Sequence, residues 1–188
     1  MKIKQNVLVL LFLIPFAMMG QDDNDDSHVV TINFSEVAIV DIEDSAIKDI
    51  TLDATGGVPA EAGDPYDFSV TNSTLWLNYT SILGNETSRL VTVRTTAGTI
   101  PAGLDLRVQA AADAGNGGGS VGANVATPIV LNGTDQNIIT GIGSCYTSTG
   151  TNNGHNLTYS LAVNDWSLID QSDSGAAITV LYTITDTP

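Results

Sequence analysis

Apolar residues in this chain recur every second position in short runs rather than every third or fourth. In residues 28–34 Val30, Ile32 and Phe34 fall on one face, with polar neighbours between them. Alternation of this kind is the signature of a half-buried strand. The β-branched run 37–42 continues it after Ser35-Glu36, so a strand over 29–40 with a bend at that pair is expected. Further runs rich in Val, Ile, Thr and Tyr occupy 49–53, 66–70, 75–81, 89–96, 104–110, 127–131, 136–142, 157–163 and 176–185. Such residues suit a pleated surface with one buried face. Turn-forming clusters separate them, among them Gly63-Asp64-Pro65, Pro101-Ala102-Gly103, Asn132-Gly133 and Asn152-Asn153-Gly154. Beyond the first twenty residues no helical period is sustained, and no unit repeats at a fixed spacing, which argues against a solenoid or propeller. The expected fold class is all-β: an immunoglobulin-like β-sandwich of about 8–10 short strands. Two connections stand apart. Residues 114–126 are rich in Gly and Asn and are expected to be mobile and exposed; residues 144–156 form a second polar loop.

The N-terminus changes the picture. Met1-Lys2-Ile3-Lys4 is basic, residues 7–19 are apolar apart from one proline, and Gly20-Gln21 follows. These are the three regions of a secretory signal peptide, and the apolar run is short for a membrane span. The chain therefore divides into a signal peptide at 1–21, an acidic spacer at 22–27 and a single β-sandwich domain at 28–188. Export is expected, to the cell surface or the extracellular space, with the periplasm as the other compartment. No membrane insertion is expected after processing. The formal net charge is −15, and loss of Lys2 and Lys4 makes the processed chain two units more negative. Only Lys48, Arg89, Arg94 and Arg107 then remain as cations. Nucleic acid and anionic membranes both need clustered Lys and Arg, so neither is an expected partner. Cys145 is the only cysteine, which excludes an intrachain disulfide and leaves core packing and sheet hydrogen bonds to hold the domain.

Candidate chemistry is sparse. Cys145 and His155 share the 144–156 loop and could form a thiolate–imidazolium pair, but no family-specific sequence surrounds either one. A buried, inert thiol is the simpler reading. No catalytic residue and no cofactor is assigned. Calcium is the metal that the acidic residues would suit, through residues 22–26, Asp64 with Asp67, or Asp113 with Asn116, although none has EF-hand spacing. Trp76, between Leu75 and Leu77, is expected in the core. Trp166, beside a turn, is the better candidate for a ligand contact, with His155 as a second.

The layout of signal peptide, small acidic sandwich, Gly/Asn-rich loops and terminal strand resembles spore-coat-U-like fimbrial subunits. The closing residues 178–188 resemble the end of WxL surface domains, with Tyr182 where that family has Trp. The first resemblance implies assembly by lending an N-terminal strand to the next subunit. Val30, Ile32 and Phe34 would then fill pockets in a neighbour; the alternative is that the same strand pairs in its own sheet. The expected function is a non-enzymatic surface or extracellular structural or adhesion protein, with a carbohydrate- or wall-binding module as the alternative. Its partners would be protein subunits, including copies of itself, or surface glycans.

Overall fold

The computed structural model describes residues 25–188 apart from Ser45. The expected signal peptide and the start of the acidic spacer lie outside the described residues. Two units are distinguished, residues 1–33 and 34–188. Within the first, residues 25–33 have no regular secondary structure and are exposed. The strand expected over 29–40 therefore begins only at Val37.

The second unit is all-β. Its strands are β1 (Val37–Glu43), β2 (Thr71–Ile82), β3 (Arg89–Ala97), β4 (Leu104–Asp113), β5 (Gly118–Gly119), β6 (Ala123–Asn124), β7 (Ile129–Val130), β8 (Gln136–Ile142), β9 (Cys145–Tyr146), β10 (His155–Val163) and β11 (Thr179–Asp186). Three single 3₁₀ turns are the only helical elements among the described residues, so no helix there is long and apolar enough to cross a membrane. All pairings are antiparallel. One sheet joins β1, β2, β10, β4 and β7, with β9 and β5 continuing beside the end of β2; the other has the order β11-β3-β8-β6. Together they make a β-sandwich.

Period-two patterning places the core. Leu75, Leu77 and Tyr79 of β2, Leu106 and Val108 of β4, and Leu157 and Tyr159 of β10 bury their side chains from the first sheet. Val91 and Val93 of β3 and Ile139 and Ile142 of β8 do so from the second. Each full burial of such a side chain is worth about 1.5–3 kcal/mol, which is how the domain holds without a disulfide. The same pleat corrects the expectation for Trp76. It sits between two inward residues, points to the opposite face and is only partly buried.

Other departures have local causes. Residues 49–53 join no ladder, although Ile50 and Leu52 still pack against the core. Residues 66–70 are not a strand either: Asp67 accepts from the Ser69 N–H at 2.8 Å and Val70 N–H donates to the Phe68 carbonyl at 2.7 Å. Local bonds of this kind compete with sheet pairing. The Gly-rich stretch 114–126, expected to be mobile and exposed, instead contributes β5 and β6 and packs partly buried Val121 against the core. Close backbone approach requires small residues here. A Cβ on Gly117 would lie 1.9 Å from the Tyr146 carbonyl oxygen.

Candidate functional site

Three places carry the chemistry. The first is the start of the chain's described part. Val30, Ile32 and Phe34 are 70%, 80% and 80% exposed, and their backbone belongs to no strand. Immediately afterwards the chain is locked down. Val37–Glu43 pairs along Trp76–Ile82 of β2. At its entrance the buried Arg89 guanidinium donates to the Val37 and Ile82 carbonyls and to the Ser81 hydroxyl, and forms ion pairs with Glu36, Glu86 and Asp186. The three carboxylates bring one oxygen each within 4.8 Å of one another, a spacing compatible with a metal ion. The cation they share is Arg89 itself. Burial would pull that guanidinium's pKa down, but its bond to Asp186 and the charges of Glu86 and Glu36 outweigh it, and the pKa is raised.

The second place is the interior beneath the 144–156 loop. His155 is fully buried. Its Nδ1 donates to the Ala111 carbonyl at 2.8 Å, and its Nε2 faces the Tyr79 hydroxyl at 2.8 Å. The Val121 carbonyl is the Tyr79 hydroxyl's other neighbour, so the hydroxyl's single proton is shared between two acceptors. Burial lowers the His155 pKa, against opposing effects from the Ala111 bond and Asp113. In this fold His155 is a core residue with no surface for an external ligand. Cys145 is buried too, and burial followed by the Asp113 charge pushes its thiol pKa up, away from the thiolate a nucleophile needs. Of the residues singled out for calcium, 22–24 lie outside the described residues, and three of the others are hydrogen-bonded within the domain. Asp113 accepts from Gly115 N–H and Asp67 from Ser69 N–H, while Asn116 donates to the Asn152 carbonyl.

The third place is a cleft of 380 Å³ lined by Pro65–Ser69, Leu161–Val163 and Trp166. Trp166 is 52% exposed. It opens a 3₁₀ turn whose preceding Asp165 accepts from Ser167 N–H at 2.9 Å and from its hydroxyl at 2.7 Å. The turn is tied down at Gly103, whose carbonyl accepts from the Asn164 and Asp165 N–H groups. Gly103 has φ +80°, and a Cβ there would lie 2.3 Å from the Asp165 carbonyl oxygen. Opposite, Tyr66 donates its hydroxyl to the Ala54 carbonyl at 2.7 Å, and Asp67 N–H reaches the Gly57 carbonyl at 2.8 Å. The ring centroids of Tyr66 and Phe68 are 4.8 Å apart at 42°; those of Phe68 and Trp166 are 5.9 Å apart at 58°.

The structure thus separates Trp166 from His155, the two ligand contacts expected from the sequence. Sequence reasoning missed Tyr66 and Phe68. Their one signal is the Tyr-x-Phe alternation, which reads as an ordinary strand. Neither a protein-family model, nor a curated protein, nor a solved structure matches this chain.

Proposed function

We propose that this is an exported, non-enzymatic structural or adhesion subunit of the cell surface or extracellular space, which associates by lending residues 29–34 to a second copy. The observation that carries this reading is the exposure of Val30, Ile32 and Phe34 in strict alternation. Water-exposed apolar side chains at strand spacing are ready to complete another sheet, with main-chain bonds supplying affinity and the side chains register. Docking all three would supply roughly 5–9 kcal/mol of burial, set against the cost of association. The donor is shorter than the 29–40 strand expected from the sequence, because residues 37–43 are already paired with β2.

The receiving edge in this reading is β11. It is the outermost strand of its sheet, and it borders a 200 Å³ groove lined by Val40 and Ile42 on one side and Val180 and Tyr182 on the other. Leu181 is exposed beside it.

Light scattering coupled to size exclusion tests the reading on the processed chain. The intact chain is expected to form dimers or larger species in a concentration-dependent way. A Val30→Ser/Ile32→Ser/Phe34→Ser variant is expected to be a folded monomer with an unchanged unfolding midpoint. Intact chains that remain monomeric at high concentration would overturn the assembly mechanism.

A further inference from the structure

We propose that the aromatic cleft at Tyr66, Phe68 and Trp166 binds a soluble, uncharged glycan chain. This goes beyond strand lending and does not depend on it. The cleft is shallow and open, about 380 Å³ in volume, which suits a chain laid across it better than an enclosed small molecule. A pyranose ring has one face of C–H groups and a rim of hydroxyls. It matches a surface that offers ring faces beside polar groups, and the cleft supplies both. Phe68 lies between Tyr66 and Trp166 in ring contact with each, so the three aromatics form one cluster spanning the cleft, with Trp166 as its half-exposed member. Between and beside them stand exposed Asp67 and Ser69. The Asp67 carboxylate is fixed by the Ser69 N–H and keeps acceptor capacity for sugar hydroxyls.

Charge selects the class of glycan. No Lys or Arg lines the cleft, and Asp67 does. Phosphorylated, sulfated and uronic-acid chains would meet an acid with no compensating cation. Ring geometry selects its state. Adjacent rings are tilted by 42° and 58° rather than coplanar, so they offer no flat row of ring faces. A flat crystalline polysaccharide face would touch only one ring, whereas a single free chain can lie against Trp166 and the ring edges beside it.

The site is also preformed. Trp166 is presented by a capped turn, and Tyr66 is anchored through its hydroxyl. Little side-chain ordering therefore opposes binding.

The experiment uses the processed chain and neutral hexasaccharides of four linkages: β-1,4-glucose, β-1,3-glucose, α-1,4-glucose and β-1,4-xylose. Binding is followed by tryptophan fluorescence and titration calorimetry. Saturable binding is expected for at least one of them, with Kd on the order of 10⁻⁵–10⁻³ M. Trp166→Ala should weaken it by about tenfold or more, and Trp166→Phe should recover part of the loss. Trp166 is half-exposed, so both variants should keep the parent unfolding midpoint. Trp76→Phe should bind like the parent, and a carboxymethylated form of the same chain should bind more weakly. Absence of saturable binding across the panel, or binding that survives Trp166→Ala, would overturn the proposal. Repeating the titration on the Val30/Ile32/Phe34 triple-Ser variant separates the two readings, because glycan binding should persist there whether or not strands are exchanged.

Discussion

A guanidinium almost wholly out of contact with water ties four strand ends together. Arg89 opens β3, and its bonds reach Glu36 and Val37 at the start of β1, Ser81 and Ile82 at the end of β2, and Asp186 at the end of β11. Its carboxylate partners Glu36 and Asp186 are themselves half-exposed and can rehydrate if it is lost. The Val37 and Ile82 carbonyls would then lose their guanidinium donor. Arg89→Met is therefore expected to cost about 3 kcal/mol, read as a lower urea midpoint at unchanged slope. Arg89→Lys should recover only part of this, since one ammonium cannot reproduce a fork that reaches strand ends on several sides. The residue was visible in the sequence only as one of four cations. Nothing in its neighbours Ser88 and Leu90 shows that two distant acids, Glu36 and Asp186, converge on it beside Glu86 three residues away.

At the scale of elements, the decisive contrast lies within one predicted strand. Its second half pairs with β2, and its first half remains free although it has the stronger alternation. Alternation reports that a segment can be a strand; it does not name the edge that will accept it. The aromatic cleft makes a similar point with loops. Its two walls come from segments far apart in sequence, and Gly103 lets the turn that carries Trp166 lie close against the chain entering β4. Gly103→Ala places a Cβ in a left-handed conformation against the Asp165 carbonyl, and the strain is expected to cost about 1–3 kcal/mol. The measurable consequences are a lower melting temperature and an altered Trp166 emission, because the Asp165 turn must move. A control Gly133→Ala, with open space around its Cβ, should behave like the parent.

For the whole molecule, pH reports on the buried network. Burial holds the folded pKa of His155 below its ordinary value near 6.5. A base depressed in the folded state contributes stability that is fully present above the unfolded pKa. That contribution is lost as pH falls, because the unfolded chain takes up the proton first. Stability should therefore decline as pH falls through the ordinary histidine range, and His155→Gln should flatten that slope in urea titrations. Below that window the carboxylates take over. Glu86 is held low by the Gly84 N–H and its own, with Arg89 adding to the effect, so its contribution is present above the ordinary carboxylate range and disappears as pH falls through its lowered value.

Local pattern determined much of this protein. Period-two alternation and the turn residues between runs were enough to mark β3, β8 and most of β2, β4, β10 and β11, and with them an all-β sandwich. These features lie in consecutive residues and depend on backbone preference and the sidedness of the pleat. Only the tertiary structure decided which segments found partners. It left residues 29–34 unpaired, turned 66–70 into a hydrogen-bonded loop, drew part of the Gly-rich 114–126 stretch into the sheets, and carried His155 and Cys145 from a polar loop into the interior. It also set Tyr66 and Phe68 beside Trp166 and gathered Glu36, Glu86 and Asp186 around Arg89. Apart from the 66–70 loop, whose bonds are local, and Glu86, three residues from Arg89, the physical reason is common. Pairing, burial and charge convergence depend on groups brought together by chain topology, and a sequence window contains only one side of such a contact.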